Sequence, residues 1–156
     1  MIEFGTRNPA VEYIHRAGAY AIIPNDSQAI AVIRTSDGYF LPGGGIRTGE
    51  AVEDALTREI REETGYESII VRSTGTAAQL TYARDKRVHY RKVGHFFLVR
   101  LTERGTKPIE PDHELLWQST ADAVKNMTHE YHAWAVQEAL RSLPPGDTVR
   151  RSKNPA

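Results

Sequence analysis

The chain has 156 residues, and its 20 Lys and Arg residues are balanced by 20 Asp and Glu, which gives a formal net charge of zero. This length predicts a single domain, and the charge balance disfavours a protein that binds nucleic acids or membrane surfaces non-specifically. The absence of cysteine excludes disulfides, thiolate metal sites and cysteine nucleophiles. The N-terminus lacks the pattern of a signal peptide, and no apolar stretch reaches the ~18 residues of a membrane span. We therefore expect a cytoplasmic protein with no membrane and no nucleic-acid partner.

Residues 1–14 are weakly patterned, and strand-like runs follow them up to about residue 40. Two apolar runs, over residues 17–23 and 29–33, predict buried strands separated by a turn. The pair Asp37-Gly38 is typical of a hairpin turn and predicts a return strand after it. The next segment, residues 42–45, contains three glycines, and we expect it to interrupt regular structure.

A helix is predicted from about Ala51 to Gly65. Glu53 and Asp54 suit the positive end of the helix dipole, although Ala51 is a poor N-cap. Gly65 is the residue type that most often ends a helix, because the chain needs a positive φ there.

The remaining elements are predicted by shorter patterns. Strands are expected over residues 69–71, 88–101 and 114–117, with a polar loop over 102–112, and helices over 119–127 and 128–140. We expect one domain over residues 1–143, followed by a Pro/Gly/basic tail over residues 144–156.

The predicted helix carries acidic residues on its apolar face. Val52, Ala55, Leu56 and Ile60 form one apolar stripe. At ~100° per residue, Glu59 and Glu63 fall within roughly 40° of the centre of that stripe. The first half of the helix should therefore pack on a core, while the second half directs carboxylates into the space beyond it.

Crowding among these acids indicates a metal site. Glu59, Glu62 and Glu63 are helical neighbours, and each like-charged pair costs about 0.2–0.5 kcal/mol, which a divalent cation would offset. Oxygen-only ligands favour Mg²⁺ or Mn²⁺. The alternative is a solvated helix end with ion pairs through Arg58. The preceding glycine turn lets the backbone approach a ligand closely, which favours a site for a metal-bound diphosphate.

These residues resemble the Nudix hydrolase family, whose box reads G-x5-E-x7-R-E-U-x-E-E-x-G-U with U a bulky aliphatic residue. The chain matches it at Gly44, Glu50, Arg58, Glu59, Ile60, Glu62, Glu63 and Gly65, and departs from it at Tyr66. The resemblance implies an α/β (α+β) fold, a Nudix-type α/β/α sandwich around a mixed β-sheet. It also implies hydrolysis of a nucleoside diphosphate linked to another group X.

The resemblance implies roles for individual residues. Glu59, Glu62 and Glu63, with the Gly43 backbone carbonyl, would bind one to three Mg²⁺ ions, or Mn²⁺ in their place. Arg58 would orient a carboxylate, and Glu50 would hold the loop to the helix. Glu62 is the predicted general base, with Glu63 or a downstream acid as alternatives. Glu114 is our candidate for that downstream acid, and an ordinary exposed glutamate is the alternative interpretation.

The substrate is indicated less directly. Tyr82 follows the box at the spacing found in dinucleoside polyphosphate hydrolases, and no proline occupies the position typical of ADP-ribose hydrolases. This favours a small-molecule nucleotide such as a dinucleoside polyphosphate or a nucleoside triphosphate, with Tyr82 stacking on a base. The alternative interpretation, which the single tyrosine does not displace, is a half-buried strand aromatic. The basic residues between Arg84 and Lys92 could meet phosphates or form a solvated face, and His129 and His132 are interpreted as helix surface.

Two other functions compete with hydrolysis. One is a Nudix-fold domain that senses a nucleotide without turnover, although such domains usually lack box glutamates that this chain has. The other, a prenyl diphosphate isomerase on the same scaffold, would need a catalytic cysteine, which the chain does not contain. Family members are often dimers, so the resemblance leaves a homodimer open.

Overall fold

The computed structural model of the protein describes residues 1–141, so the predicted domain end at residue 143 and the tail 144–156 lie outside the described residues. The chain forms eight strands and three helices within that range. Its strands are β1 (Ile2–Phe4), β2 (Tyr13–Ile22), β3 (Ala29–Thr35), β4 (Gly38–Phe40), β5 (Gly43–Gly45), β6 (Tyr66–Ala83), β7 (Val88–Arg104) and β8 (Glu114–Ser119). Its helices are α1 (Val52–Thr64), α2 (Thr120–Asn126) and α3 (Glu130–Arg141).

The strands form two sheets. The larger sheet has the order β1-β6-β7-β2-β5, in which β1 and β6 as well as β7 and β2 run parallel while the other neighbours are antiparallel. The smaller sheet has the antiparallel order β4-β3-β8. This mixed-sheet architecture with helices confirms the predicted fold class.

Alternating residues on the central strands face two separate cores. On β2, Ala19 and Ala21 pack in the core that contains Leu56 and Ile60 of α1. Ile22, one residue further on, packs in the core formed with α2 and α3. Because successive side chains on a strand point to opposite faces, this alternation places α1 on one side of the strands and α3 on the other.

Helix α1 begins and ends as its sequence predicts. Ala51 caps its N-terminus with no side-chain hydrogen bond, and Glu53 and Asp54 lie in its first turn. Gly65 ends the helix with a φ of 76°, and its N–H donates to the Arg61 carbonyl. A β-carbon on Gly65 would also overlap the carbonyl oxygen of Thr106, so glycine is required there both by conformation and by space.

The predicted break at the three glycines is wrong. Gly43–Gly45 form β5, which pairs antiparallel with Gly18–Tyr20 of β2. Gly43 adopts a φ of 141°, and a β-carbon there would overlap the carbonyl oxygen of Ala19. The glycines therefore permit a strand to approach β2 more closely than other residues could, instead of breaking the strand pattern.

Most other predicted elements are confirmed, with different bounds. The hairpin occurs, but its loop is Ser36-Asp37, since Thr35 pairs with Gly38. The short run predicted at residues 69–71 belongs to β6, which has 18 residues and pairs with β7 through three register shifts. In the described part of the chain, no helix combines the length and apolar character needed to cross a membrane.

Candidate active site

Arg58 holds the glycine strand and the acidic helix together. Its guanidinium donates to both carboxylate oxygens of Glu50, at 2.8 and 3.0 Å, and to the Gly45 carbonyl at 3.0 Å. It also donates to Glu59 at 3.0 Å and to Glu62 at 3.3 Å. The hydrogen bonds that Glu50 accepts, first from Arg58 and then from the Arg47 N–H, lower the pKa of Glu50 to about 2. The Arg58–Glu50 pair thus joins the loop to the helix, and Arg58 also contacts two carboxylates of α1.

Three carboxylates converge beside Arg58. Ligand atoms of Glu59, Glu62 and Glu110 all lie within 4.8 Å of one another. Burial raises the pKa of Glu59, against the opposing effect of Arg58. Oxygen atoms at this spacing form a donor set that suits a hard divalent cation, which would offset their mutual repulsion. The residues therefore fit the cation that the sequence predicts, with Glu110 in the place expected for Glu63.

Glu63 lies next to this group but is bound differently. Its side chain is 5% exposed, and it accepts a hydrogen bond of 2.8 Å from the Gly43 N–H. Its other oxygen is 2.8 Å from Nδ1 of His113. Burial raises the pKa of Glu63 well above its ordinary value, and the neighbouring carboxylates, led by Glu59, raise it further.

A loop after β7 delivers Glu110 and His113 to the site. The N–H groups of Gly105 and Thr106 donate to the Gly65 carbonyl, at 3.0 and 3.2 Å. Further along, the Ile109 N–H donates to the Glu62 carbonyl at 2.9 Å. The loop is thus attached by its backbone to the C-terminal end of α1, where the box glutamates lie.

A cavity of about 330 Å³ opens beside these carboxylates, and we call it the aromatic cavity. Glu63, Gly43 and Gly44 line it near the carboxylates, and its other walls carry a group of rings, Tyr20, Phe40, His129, Tyr131 and His132. The rings contact one another: the Tyr20 and His132 centroids are 4.5 Å apart, and those of Tyr131 and His132 are 4.6 Å apart. A cavity of this size, with aromatic walls and a few polar groups, is typical of small-molecule sites.

Two histidines of the aromatic cavity are held neutral. The Leu41 N–H donates to Nδ1 of His132 at 3.2 Å, which leaves the ring proton on Nε2. Nε2 is buried and has no hydrogen-bond partner within residues 1–141. Burial lowers the pKa of His132 well below its ordinary value, and that of His129 to about 4.

A family model described as NUDIX domain matches residues 14–140. The chain belongs to the NUDIX family. Its recognised segment includes the glycine strand, the acidic helix, the Glu110 loop and all but one residue of α3.

Named relatives of this Nudix chain match it over short segments. One is a Bacillus subtilis protein whose name proposes 8-oxo-dGTP diphosphatase activity, 39% identical over 64 residues, which are 40% of this chain and 43% of that protein. Another is the ADP-ribose pyrophosphatase of Methanocaldococcus jannaschii, 45% identical over 58 residues, 34% of each protein. The chain thus matches less than half the length of each.

Solved Nudix structures share the fold over most of the chain. A MutT NUDIX hydrolase from Burkholderia pseudomallei is 26% identical, with a TM-score of 0.56 over 80% of this chain and 98% of that one. A NUDIX hydrolase from Nitrosomonas europaea is 14% identical, with a TM-score of 0.65 over 82% of this chain and 90% of that one.

Two of the predicted Nudix site residues lie away from the carboxylate group. Glu114 forms an ion pair with Arg34, its partner across the β3–β8 ladder, and both side chains are about half exposed. Tyr82 is 49% exposed near the end of β6, with its ring 4.6 Å from that of His89. Glu110, which the sequence analysis did not single out, lies with Glu59 and Glu62 instead.

The interpretation of His132 as helix surface is wrong, because its side chain is 1% exposed. The buried residues of α3 include Tyr131, His132, Ala135 and Val136. They recur at i, i+1, i+4 and i+5, so the helical period placed His132 on the buried face. Glu110 had no comparable signal, since it lies in a loop with no repeating pattern.

Proposed function

We propose that this Nudix chain is a Mg²⁺-dependent nucleotide pyrophosphohydrolase, which Mn²⁺ could also support. It would cleave a nucleoside diphosphate linked to a group X, with a nucleoside triphosphate or a dinucleoside polyphosphate as the favoured substrate. The observation that carries the proposal is the convergence of Glu59, Glu62 and Glu110 beside the aromatic cavity. A bound cation would neutralise charge on the diphosphate oxygens.

The reaction requires a water molecule, a base and a phosphoanhydride. The water oxygen forms a bond to one phosphorus, the bridging P–O bond breaks, and a carboxylate takes the water proton. Arg58 supports this chemistry by fixing Glu59 and Glu62 through its hydrogen bonds. The aromatic cavity would hold the nucleoside, because its rings can stack on a base.

Two carboxylates compete for the role of general base. Glu62 is the residue predicted from the family resemblance. Glu63 has a raised pKa, and a carboxylate with greater proton affinity is a better base near neutral pH. Glu62 also belongs to the proposed cation site, so E62Q should lose Mn²⁺ affinity in either case. An E63Q variant that loses turnover but keeps its Mn²⁺ affinity would assign the base to Glu63, whereas an E63Q variant that keeps its turnover would exclude Glu63.

The identity of the substrate is supported less specifically than the type of reaction. One named relative suggests an oxidised nucleoside triphosphate and another ADP-ribose, and each matches only part of the chain. Tyr82 remains a proposed base-stacking residue, and a backbone carbonyl ligand at Gly43 remains proposed. The cytoplasmic location, the absence of a nucleic-acid partner and a homodimer stay predictions.

A substrate panel tests the proposal. It would contain nucleoside triphosphates, oxidised ones included, together with dinucleoside polyphosphates, nucleotide sugars and ADP-ribose, each with Mg²⁺ or Mn²⁺. Metal-dependent release of phosphate or nucleotide from at least one member is expected. Binding of several members without cleavage of any would instead favour the nucleotide sensor.

A further inference from the structure

A second cavity lies next to the end of the glycine strand β5. Its volume is about 630 Å³, and Gly45 of β5 lines it together with Tyr20 of β2. Its cationic lining residues are Arg16, Arg47 and Lys92, and we call it the basic cavity. Among its lining residues, all within the described range, none is acidic. The basic cavity is therefore a concentration of positive charge in a protein with no net charge.

Two of these cations lack an anionic partner. Within residues 1–141, neither Arg16 nor Lys92 forms an ion pair with a carboxylate. Both heads instead lie near the ring of Tyr90, Arg16 at 5.5 Å and Lys92 at 6.0 Å from its centroid. Lys92 is half-buried, and burial followed by repulsion from Lys86 lowers its pKa. A partly buried cation without a partner is costly, and a bound anion would offset that cost.

The basic cavity adjoins the candidate active site. Arg47 lines it and also lies 3.9 Å from a carboxylate oxygen of Glu62. Lys92 and Tyr20 line both the basic cavity and the aromatic cavity. Arg47 therefore links the basic cavity to the carboxylate group, and Lys92 and Tyr20 link it to the aromatic cavity.

We propose that the basic cavity is an anion site for phosphate groups beyond the hydrolysed phosphoanhydride. This rests on the proposed function and narrows it to substrates with three or more consecutive phosphates. Such substrates place additional negative charge next to the diphosphate, where Arg16, Arg47 and Lys92 can pair with it. Nucleotide sugars and ADP-ribose carry a neutral sugar at that position and would leave these cations unpaired.

Binding of inorganic tripolyphosphate tests the site separately from catalysis. Calorimetry on the full chain in EDTA would compare the wild type with K92Q and R16Q. Lys125 is an exposed lysine in the last turn of α2 and lines neither cavity, so K125Q is the matched control. We expect K92Q and R16Q each to weaken binding by about tenfold or more, because each removes a charged hydrogen-bond donor, while K125Q binds like the wild type. Thermal melting checks that K92Q folds, and R16Q, whose side chain is exposed, provides the second variant.

Kinetics supply the second readout. R16Q, whose residue lines the basic cavity but not the aromatic cavity, should raise KM for a nucleoside triphosphate by about tenfold and change KM for ADP-ribose by less than about twofold. Tripolyphosphate binding that is equal in the wild type, K92Q and R16Q would overturn the anion site while leaving the proposed hydrolysis intact. Lys92-dependent binding in a protein that hydrolyses no nucleotide would support the anion site and contradict the hydrolase.

Discussion

Gly44 and the carboxylate of Glu59 lie in such close contact that a β-carbon on Gly44 would stand 2.6 Å from the Glu59 carboxylate carbon. The G44A variant should therefore fold and yet displace Glu59, since the obstructed group is the end of a side chain. We expect turnover to fall by about tenfold or more, because small displacements of reacting groups are costly. Steady-state kinetics on the purified variant measure this.

Neighbouring glycines provide the controls for G44A. A β-carbon on Gly45 would meet no atom within 4 Å, so G45A should keep turnover close to that of the wild type. On Gly43 it would overlap the Ala19 carbonyl oxygen, and the φ of 141° is also unfavourable, so G43A should lower the melting temperature. Equal activity in G44A and G45A would argue against close apposition of the glycine strand and Glu59.

Glu110 and Glu114 should differ in their effect on cation binding. The E110Q variant should weaken Mn²⁺ binding by about tenfold or more, because it removes one charge from the carboxylate group. E114Q should bind Mn²⁺ like the wild type, because Glu114 pairs with Arg34 on an exposed strand. Electron paramagnetic resonance of free Mn²⁺ measures both. A larger loss of Mn²⁺ affinity in E114Q than in E110Q would contradict the cation site at Glu110.

The loss of Arg58 should destabilise the protein. R58A leaves Glu50, Glu59 and Glu62 without their shared partner, and removing one member of a partly buried ion network costs about 3 kcal/mol. On the same helix, Arg61 pairs with Glu67 at the surface, so R61A should cost less than about 1 kcal/mol. Denaturant unfolding in EDTA compares the two variants. Added Mg²⁺ should recover part of the loss in R58A, since it too offsets the carboxylate charge.

Acid should destabilise the protein through its neutral histidines. The pKa of folded His129 is lowered to about 4, from an ordinary value of 6.5, so the unfolded chain takes up the proton first. Its contribution to the free energy of unfolding is therefore fully present above pH 6.5 and is lost as the pH falls toward about 4. His132 acts in the same direction, since protonation would also displace the hydrogen bond from Leu41.

The H129Q variant separates the contribution of His129 to the pH dependence of stability from that of the glutamates. Glu59 and Glu63, whose pKa values are raised, act in the opposite sense as the pH falls, so the wild-type curve alone is ambiguous. H129Q should reduce the slope of unfolding free energy against pH in this window by up to about 1.4 kcal/mol per pH unit. H15Q, at an exposed position on β2, is the control and should follow the wild type. Parallel curves for H129Q and the wild type would contradict the lowered pKa of the half-buried His129.

Local patterns predicted α1 and its orientation. The apolar spacing placed Ala55, Leu56 and Ile60 on the buried face, and Glu63 on that face is indeed buried. Gly65 ends the helix in the left-handed conformation that its residue type favours. Such features depend on residues within one or two turns of each other, and the sequence contains that information directly.

The remaining parts of the site depend on contacts between distant residues. Glu110 reaches Glu59 and Glu62 because backbone hydrogen bonds attach its loop to the end of α1. The glycines at 43–45 form a strand because β2 accepts them as a neighbour, and no local rule specifies that pairing. Likewise, Lys92 lines two cavities together with residues that are distant from it in the sequence.

We propose that Glu59, Glu62 and Glu110 hold a divalent cation that nucleotide hydrolysis requires. The most direct measurement is the Mn²⁺ dissociation constant and the nucleoside triphosphate turnover of one preparation, for the wild type and for a variant in which all three residues are Gln. We predict that the wild type binds Mn²⁺ and turns over substrate only with metal, whereas the variant, with an undiminished melting temperature, loses both. Equal Mn²⁺ affinity in the two proteins, or turnover by the variant at the wild-type rate, would contradict the claim.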